Sequence, residues 1–328
     1  MKKLLSAGLC LSMFLLAGCQ GQPQDTTLTI TDQAGREVTF EEPCQTAASG
    51  YYITTTIMIG LQQQDKLTGI EMKPETRPIY AKAAEEILAL PQLGNKKMFN
   101  VEECAKADPD VVFLPVSLES YVEELEALDI PVVLLEPETA DDFEEAVEII
   151  GKVMGCEDKV DEYKQYEEDL LQKYELDEVE EEPTVYFAGS DLLTCATDDM
   201  YQGEILSYAQ ADNAIDAEGS SWVNIDIETL LAANPDYVFI EAGSLSANDF
   251  KNDARVQELQ AVQNDHVYVF PSTLETWDTP SLSSCLGKLW AASILHPELV
   301  SMDDVEAESV AFYEQFYGFT PEAQDLAL

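Results

Sequence analysis

Positive charge is the scarcest property of this sequence: 17 Lys+Arg stand against 64 Asp+Glu, a formal net charge of −47 over 328 residues. A surface that negative repels phosphate backbones, which argues against nucleic-acid binding. It offers no basic patch to anionic lipid either. Histidine is nearly absent, with only His266 and His296. Neither lies near a Cys, so neither a zinc site nor a Ser/His/Asp site is expected. Glycine is sparse at 16 residues, and no GxGxxG, GxxxxGK[ST] or GxSxG occurs. Phosphate loops and nucleophile elbows are thereby set aside. Without a nucleophile–base pair or a ligand cluster, an enzyme is not expected, nor a resident cofactor or metal. Any metal handled here is expected to arrive already chelated.

Cysteine usage excludes a disulfide framework. Beyond Cys10 and Cys19, the chain has Cys44, Cys104, Cys156, Cys195 and Cys285, an odd number with no CxxC. They read as small buried apolar residues, with one disulfide left open.

Long apolar runs are missing except at the start. Leu4–Gly18 is a fifteen-residue run behind Lys2 and Lys3, shorter than the roughly 20 residues a membrane span needs. It fits a secretory signal over 1–18. Leu16-Ala17-Gly18-Cys19 looks like a lipobox, with cleavage before Cys19 and lipid on its thiol. Loss of two lysines from −47 leaves the mature chain at −49. A polar tether over 19–27 follows. The expected product is a soluble body on a lipid anchor, outside the cytoplasm and monomeric.

What the chain does have is length for two domains, 46% hydrophobic residues and an internal repeat. Residues 100–114, NVEECAKADPDVVFL, correspond to 226–240, DIETLLAANPDYVFI. Asn100 and Asp226 are good N-caps. Pro109 and Pro235 end each helix. The apolar runs Asp110–Leu114 and Asp236–Ile240 suit parallel strands covered on both faces. The flanks correspond as well. A strand near Thr46–Ala48 and a helix over Thr54–Leu61 precede the first copy; Thr184–Phe187 and a helix over Ile205–Ala209 precede the second. A helix near Leu118–Leu128 and the strand Ile130–Leu135 follow the first; a helix near Ala254–Leu259 and the strand His266–Phe270 follow the second. This alternation predicts an α/β fold of two similar Rossmann-like lobes, over 28–140 and 183–300. Between them, 141–182 holds eighteen acids, four lysines and apolar residues at helical spacing. As one helix over 141–174 it would run roughly 50 Å, although Gly151 and Gly155 interrupt the pattern. The tail 301–328 is expected to be helical and to pack back on the body.

In open α/β sheets, ligands bind beyond the carboxyl ends of strands. Tyr51 and Tyr52 follow the first strand of lobe one, and Arg77, one of three arginines, falls in a loop after Thr68-Gly69-Ile70. Tyr201 and Trp222 lie in lobe-two loops, and Trp277 follows a strand directly. Aromatics suit flat, partly apolar ligands, and a guanidinium suits carboxylates on them. Any one of them alone reads equally as packing. Glu102 and Glu228 occupy matching first-turn positions in the repeat, where the helix dipole favours acids. Their recurrence suggests a two-point acidic docking surface.

Three stretches carry a resemblance: Leu28–Val38 (LTITDQAGREV), the two helix–Pro-Asp–strand repeats, and Glu275–Pro280 with Leu286–Trp290. Together they resemble the iron-chelate and vitamin B12 substrate-binding proteins of ABC importers, over about 28–319. The resemblance implies a class III periplasmic-binding-protein fold with lobes joined by a long rigid helix, and a ligand held between them. It implies delivery to a permease powered by an ATPase, with Glu102 and Glu228 meeting permease arginines. The expected ligand is an iron–siderophore type of chelate, with cobalamin or haem as rivals. A secreted two-lobed enzyme and a structural surface protein are the other classes weighed. The Ser49-Gly50-Tyr51-Tyr52 stretch departs from the vitamin B12 binders, so the ligand residues are placed by position.

Overall fold

The computed structural model describes residues 27–328 apart from 177, 178, 180, 181, 218 and 220. The expected signal peptide 1–18, Cys19 and the tether up to 26 lie outside the described residues. No described helix is long and apolar enough to cross a membrane.

The chain opens with an antiparallel hairpin, β1 (Leu28–Thr31) and β2 (Glu37–Phe40). Buried Asp32 at its turn accepts the Arg36 N–H at 2.9 Å and the Leu134 N–H at 3.2 Å, fastening the hairpin to the lobe behind it. Lobe one follows: β3 (Ala47–Ser49), α1 (Tyr52–Gly60), β4 (Leu67–Gly69), α2 (Pro78–Ala83), the hairpin β5 (Gly94–Asn95) and β6 (Met98–Phe99), α3 (Val101–Ala107), β7 (Val111–Pro115), α4 (Val122–Glu126) and β8 (Val132–Leu135). The connector holds α5 (Ala140–Met154) and α6 (Glu157–Lys173). Lobe two holds β9 (Thr184–Ala188), β10 (Thr194–Cys195), α7 (Tyr201–Tyr208), β11 (Asp212–Asn213), β12 (Val223–Asn224), α8 (Ile227–Ala233), β13 (Tyr237–Ile240), α9 (Ala247–Asn252), α10 (Gln260–Gln263) and β14 (Val267–Val269). After it come α11 (Ser284–Leu295), α12 (Met302–Phe312), a π-helical turn over Tyr313–Tyr317 and α13 (Ala323–Leu326).

Both lobes carry a parallel core in one order. The first sheet runs β4-β3-β7-β8. The second runs β11, β9, β13, β14, with β10 and β12 added antiparallel. The Pro-Asp pair of the repeat has a physical role in each. Asp110 Oδ2 accepts the Thr46 N–H at 2.8 Å, and the Asp110 N–H donates to Thr46 Oγ1 at 3.0 Å. Asp236 Oδ2 accepts the Thr184 N–H at 3.0 Å, and the Asp236 N–H donates to Thr184 Oγ1 at 3.1 Å. Each latch ties the start of the repeat strand to the start of the neighbouring strand. The helix before each latch ends in a left-handed residue, Asp108 or Asn234, the residue types that adopt this conformation most readily after Gly.

The connector differs from the expected long helix. α5 and α6 form an antiparallel pair: Lys164 reaches back to Glu148 at 2.8 Å, and Val160 packs against Gly151. Gly155 causes the reversal. It caps α5 at φ 64°, and the Cys156 N–H returns to the Gly151 carbonyl at 2.9 Å, a Schellman-type ending. A Cβ on Gly155 would come within 2.8 Å of Pro43. The helix expected over Ala254–Leu259 is also displaced: those residues are turns between α9 and α10. Residues 118–128 hold a 3₁₀ turn and the five-residue α4 in place of one helix.

Among the described residues three apolar clusters make up the core. Two cover one face of each sheet, and the third runs across both lobes through α1, α5, α6, α11 and the tail, including Ile57, Ile150, Tyr163, Leu289 and Phe316. The tail, α12, the π-helical turn and α13, packs on the body. Phe312, Tyr313, Phe316 and Tyr317 are buried, and Asp325 of α13 pairs with Lys82 of α2 at 2.8 Å. All five described cysteines are buried and free.

Candidate functional site

Tyr52, at the start of α1, lies near Glu138 after β8 of lobe one and near Glu241 after β13 and Asp278 of lobe two, which puts it at the junction of the lobes. Tyr52 opens α1 and stacks edge-on against Tyr51, with ring centroids 5.4 Å apart. The Arg77 guanidinium carbon stands 3.9 Å from the Tyr52 centroid, a cation–π contact. Arg77 is positioned from behind by Glu71, which is buried and lies 3.5 Å from Arg77 Nε. Glu71 in turn accepts the Tyr80 hydroxyl at 2.7 Å and contacts the Thr55 hydroxyl at 2.7 Å. Burial and the neighbouring Glu71 push the Tyr80 phenol well above its usual range.

The Thr76–Ile79 loop and Tyr52 meet the Ser272–Ser281 loop of lobe two around a cavity of about 180 Å³. Thr56, Thr76, Ser272, Thr276 and Ser281 line it together with Arg77, the Glu275 carboxyl and the apolar Ile79, Leu274 and Pro280. The Ile79 N–H donates to the Leu274 carbonyl at 3.3 Å across the lobe boundary. Burial raises the Tyr52 phenol, which Arg77 opposes and Glu138, Glu241 and Asp278 reinforce. Glu241 follows β13, and burial raises its carboxyl. Asp278 is fully buried, accepts the Ala242 N–H at 2.9 Å, and is pushed up to about 7 by burial. Glu136, after β8, is raised by burial and then by Glu138. The junction thus combines an aromatic face, hydroxyls and the Arg77 guanidinium with acids on both sides. That suits a polar, charged solute. Among the described residues no group of three or more His, Cys, Asp or Glu is placed to hold a metal ion.

The sequence-chosen residues divide. Tyr52 and Arg77 gather on the lobe-one side; Tyr51, 2% exposed and part of the apolar core, only backs the Tyr52 ring. Trp222 lies at the end of β9, half-buried against Phe187, with its ring so close to Gly189 that a Cβ there would meet it at 2.6 Å. Tyr201 and Trp277 do not belong with them. Tyr201 is buried on α7 with its hydroxyl 2.5 Å from Ser284 Oγ of α11. Trp277 has no exposed surface, and its Nε1–H donates to the Tyr313 hydroxyl at 3.0 Å. Both are core residues, because adjacency to a strand end in sequence does not decide which way a side chain turns. Glu102 and Glu228 are exposed at the same position, two after the N-cap, of α3 and α8. Sequence reasoning missed Lys96, whose Nζ is 4.9 Å from the Tyr51 centroid and 6.0 Å from that of Tyr52. The only signal was a lysine pair in a short hairpin.

The sequence profile of the periplasmic binding protein family matches residues 48–274. The molybdate-binding protein MolA of Haemophilus influenzae is 23% identical over 317 residues, covering 88% of this chain and 90% of that one. A periplasmic solute binding protein from Veillonella parvula superposes with a TM-score of 0.79 at 20% identity, over 92% of this chain and 97% of its own. Helicobacter pylori CeuE, in a Ni-His complex, superposes with a TM-score of 0.72 at 18% identity, over 91% and 97%. At these identities the superpositions establish the fold, a class III binding-protein architecture.

Proposed function

Because the chain belongs to the periplasmic binding protein family, the extracytoplasmic solute-binding components of ABC transporters, we propose that its cargo is a metal chelate of the iron–siderophore kind. The chelate is held between the lobes and passed to a membrane permease. Membership makes the chain a transport component without catalysis of its own. The observation that carries the ligand reading is Arg77, fixed over Tyr52 by buried Glu71 at the lobe junction. A guanidinium on an aromatic face receives an anionic, partly flat ligand. Trp222 would supply a second aromatic wall from lobe two. The lipobox at Cys19 supports anchoring of this receptor to the membrane surface by lipid.

A second reading has its own observation. The cavity beside Arg77 measures about 180 Å³ and is bordered by hydroxyls, apolar side chains and the Glu275 carboxyl, a size that suits a small oxyanion better than a bulky chelate; MolA, a relative, is named for molybdate. Thermal shift and tryptophan quenching of the purified chain separate the two. The panel is ferric siderophores, haem, cobalamin, Ni(II)–histidine, molybdate and bare metal ions. A saturating ligand at 100 times Kd should add about 2.7 kcal/mol, with Trp222 as the reporting tryptophan and Arg77→Gln abolishing the response. A shift with molybdate alone selects the oxyanion. A shift with bare cations alone would sink both readings.

A further inference from the structure

Lys96 stands at the first turn position of the β5–β6 hairpin, where Gly94 pairs with Phe99 and Asn95 with Met98. Asn95 Oδ1 accepts the Lys97 N–H at 2.8 Å, and the Ser117 hydroxyl donates to the Lys96 carbonyl at 3.2 Å. The backbone is therefore tied to the end of β7, while the side chain keeps 49% of its surface in solvent. Its ammonium and the Arg77 guanidinium share one ring, at 6.0 Å and 3.9 Å from the Tyr52 centroid. In a chain with 17 cations for 64 acids, two of them on a single tyrosine at the lobe junction mark an anion-facing surface.

Their counter-ions differ in kind. Glu71 is buried and held by Tyr80 and Thr55, so it is a fixed part of the Arg77 mount. Glu138 keeps 48% of its side-chain surface exposed and lies 3.6 Å from Lys96. That is a loose pair of solvated groups which little energy holds together. Glu136 sits beside it, so Lys96 is the cation that both acids face.

We propose that Lys96 is a specificity-determining residue of the cleft. With Arg77 it selects ligands bearing two separated anionic groups, and Glu138 occupies the place of one of those groups until the ligand displaces it. A singly charged ligand is satisfied at Arg77 and leaves the Lys96–Glu138 pair closed. This rests on the solute-capture reading and adds the charge class of the cargo.

Calorimetric titration tests it with molybdate, ferric citrate, a ferric tricatecholate and cobalamin as probes. For ferric citrate or the ferric tricatecholate, whichever binds the wild type, Lys96→Gln should weaken binding about tenfold or more and reduce its salt dependence, while molybdate, a single small oxyanion, should lose little. Glu138→Gln should tighten the same probe about threefold, since it removes only a weak competitor. Lys97→Gln, one residue along the same turn, should change little. Equal effects of Lys96→Gln and Lys97→Gln, weaker binding in Glu138→Gln, or binding of cobalamin alone would each overturn the inference while the receptor reading stands. If no probe binds the wild type, the receptor reading fails and the inference falls with it.

Discussion

Glu275 shows at single-residue scale what enclosure does to a carboxyl. Its oxygens are sealed from solvent at the wall of the cavity beside Arg77, and burial, opposed by the Ser283 and Tyr317 hydroxyls, pushes it up to about 7. In an unfolded chain the same group titrates at about pH 4. A carboxyl that holds its proton more tightly when folded stabilises the fold fully below the unfolded value. That contribution is lost as pH rises through the folded value. Glu275 and Asp278 should therefore make the protein less stable between about pH 4 and pH 7. Glu275→Gln should flatten that slope and raise Tm at pH 8, by roughly 2–4 °C per kcal/mol recovered, with little change at pH 4. A melting series that keeps its slope in the variant would refute this assignment. Residues also mark the limit of the sequence reading. Tyr52, Arg77 and Trp222 keep part of their surface open, whereas Tyr51 is buried in the core. Tyr201 and Trp277 turned inward because Ser284 and Tyr313 satisfy their polar atoms inside the core, and those partners lie 83 and 36 residues away.

Among the elements, the repeat was the most legible feature, since its signals are local. An N-cap, a short helix, Pro-Asp and an apolar strand all sit within fifteen residues, and they give the same helix–strand placement twice. The connector was less legible because both arrangements satisfy one pattern. The apolar spacing of Phe143, Val147, Ile150 and Val153 serves a single long helix as well as a hairpin of two. Only the left-handed Gly155 distinguishes them. Gly155→Ala should cost about 1 kcal/mol or more, as alanine is strained at positive φ, and Pro43 stands in the way of its Cβ. Urea unfolding with an unchanged m-value would report this as a local strain. Wild-type stability in the variant would mean that the turn does not need that conformation.

At the scale of the whole molecule, the two lobes present one exposed glutamate each at the same position of equivalent helices. The fold explains this pairing without reference to any partner, since an acid in the first turn of a helix is favourable in itself. The functional claim therefore needs a cellular measurement. Reversing both charges, Glu102→Lys with Glu228→Lys, should stop uptake while affinity for the ligand in solution is preserved, and Cys19→Ala should release the protein from membranes. Loss of ligand affinity in the double variant would move those glutamates into the binding site.

The apolar cluster common to both lobes, with the Lys82–Asp325 and Ile79–Leu274 links beside the cleft, leaves little freedom for a clamshell motion. A carrier so braced cannot advertise that it is full by snapping shut. Were a permease to rest on Glu102 and Glu228, it would have to tell laden from vacant by feeling the rim, where cargo that cancels or redistributes charge alters the field between those two positions. Selectivity of transport would then be written in the potential of an almost motionless surface.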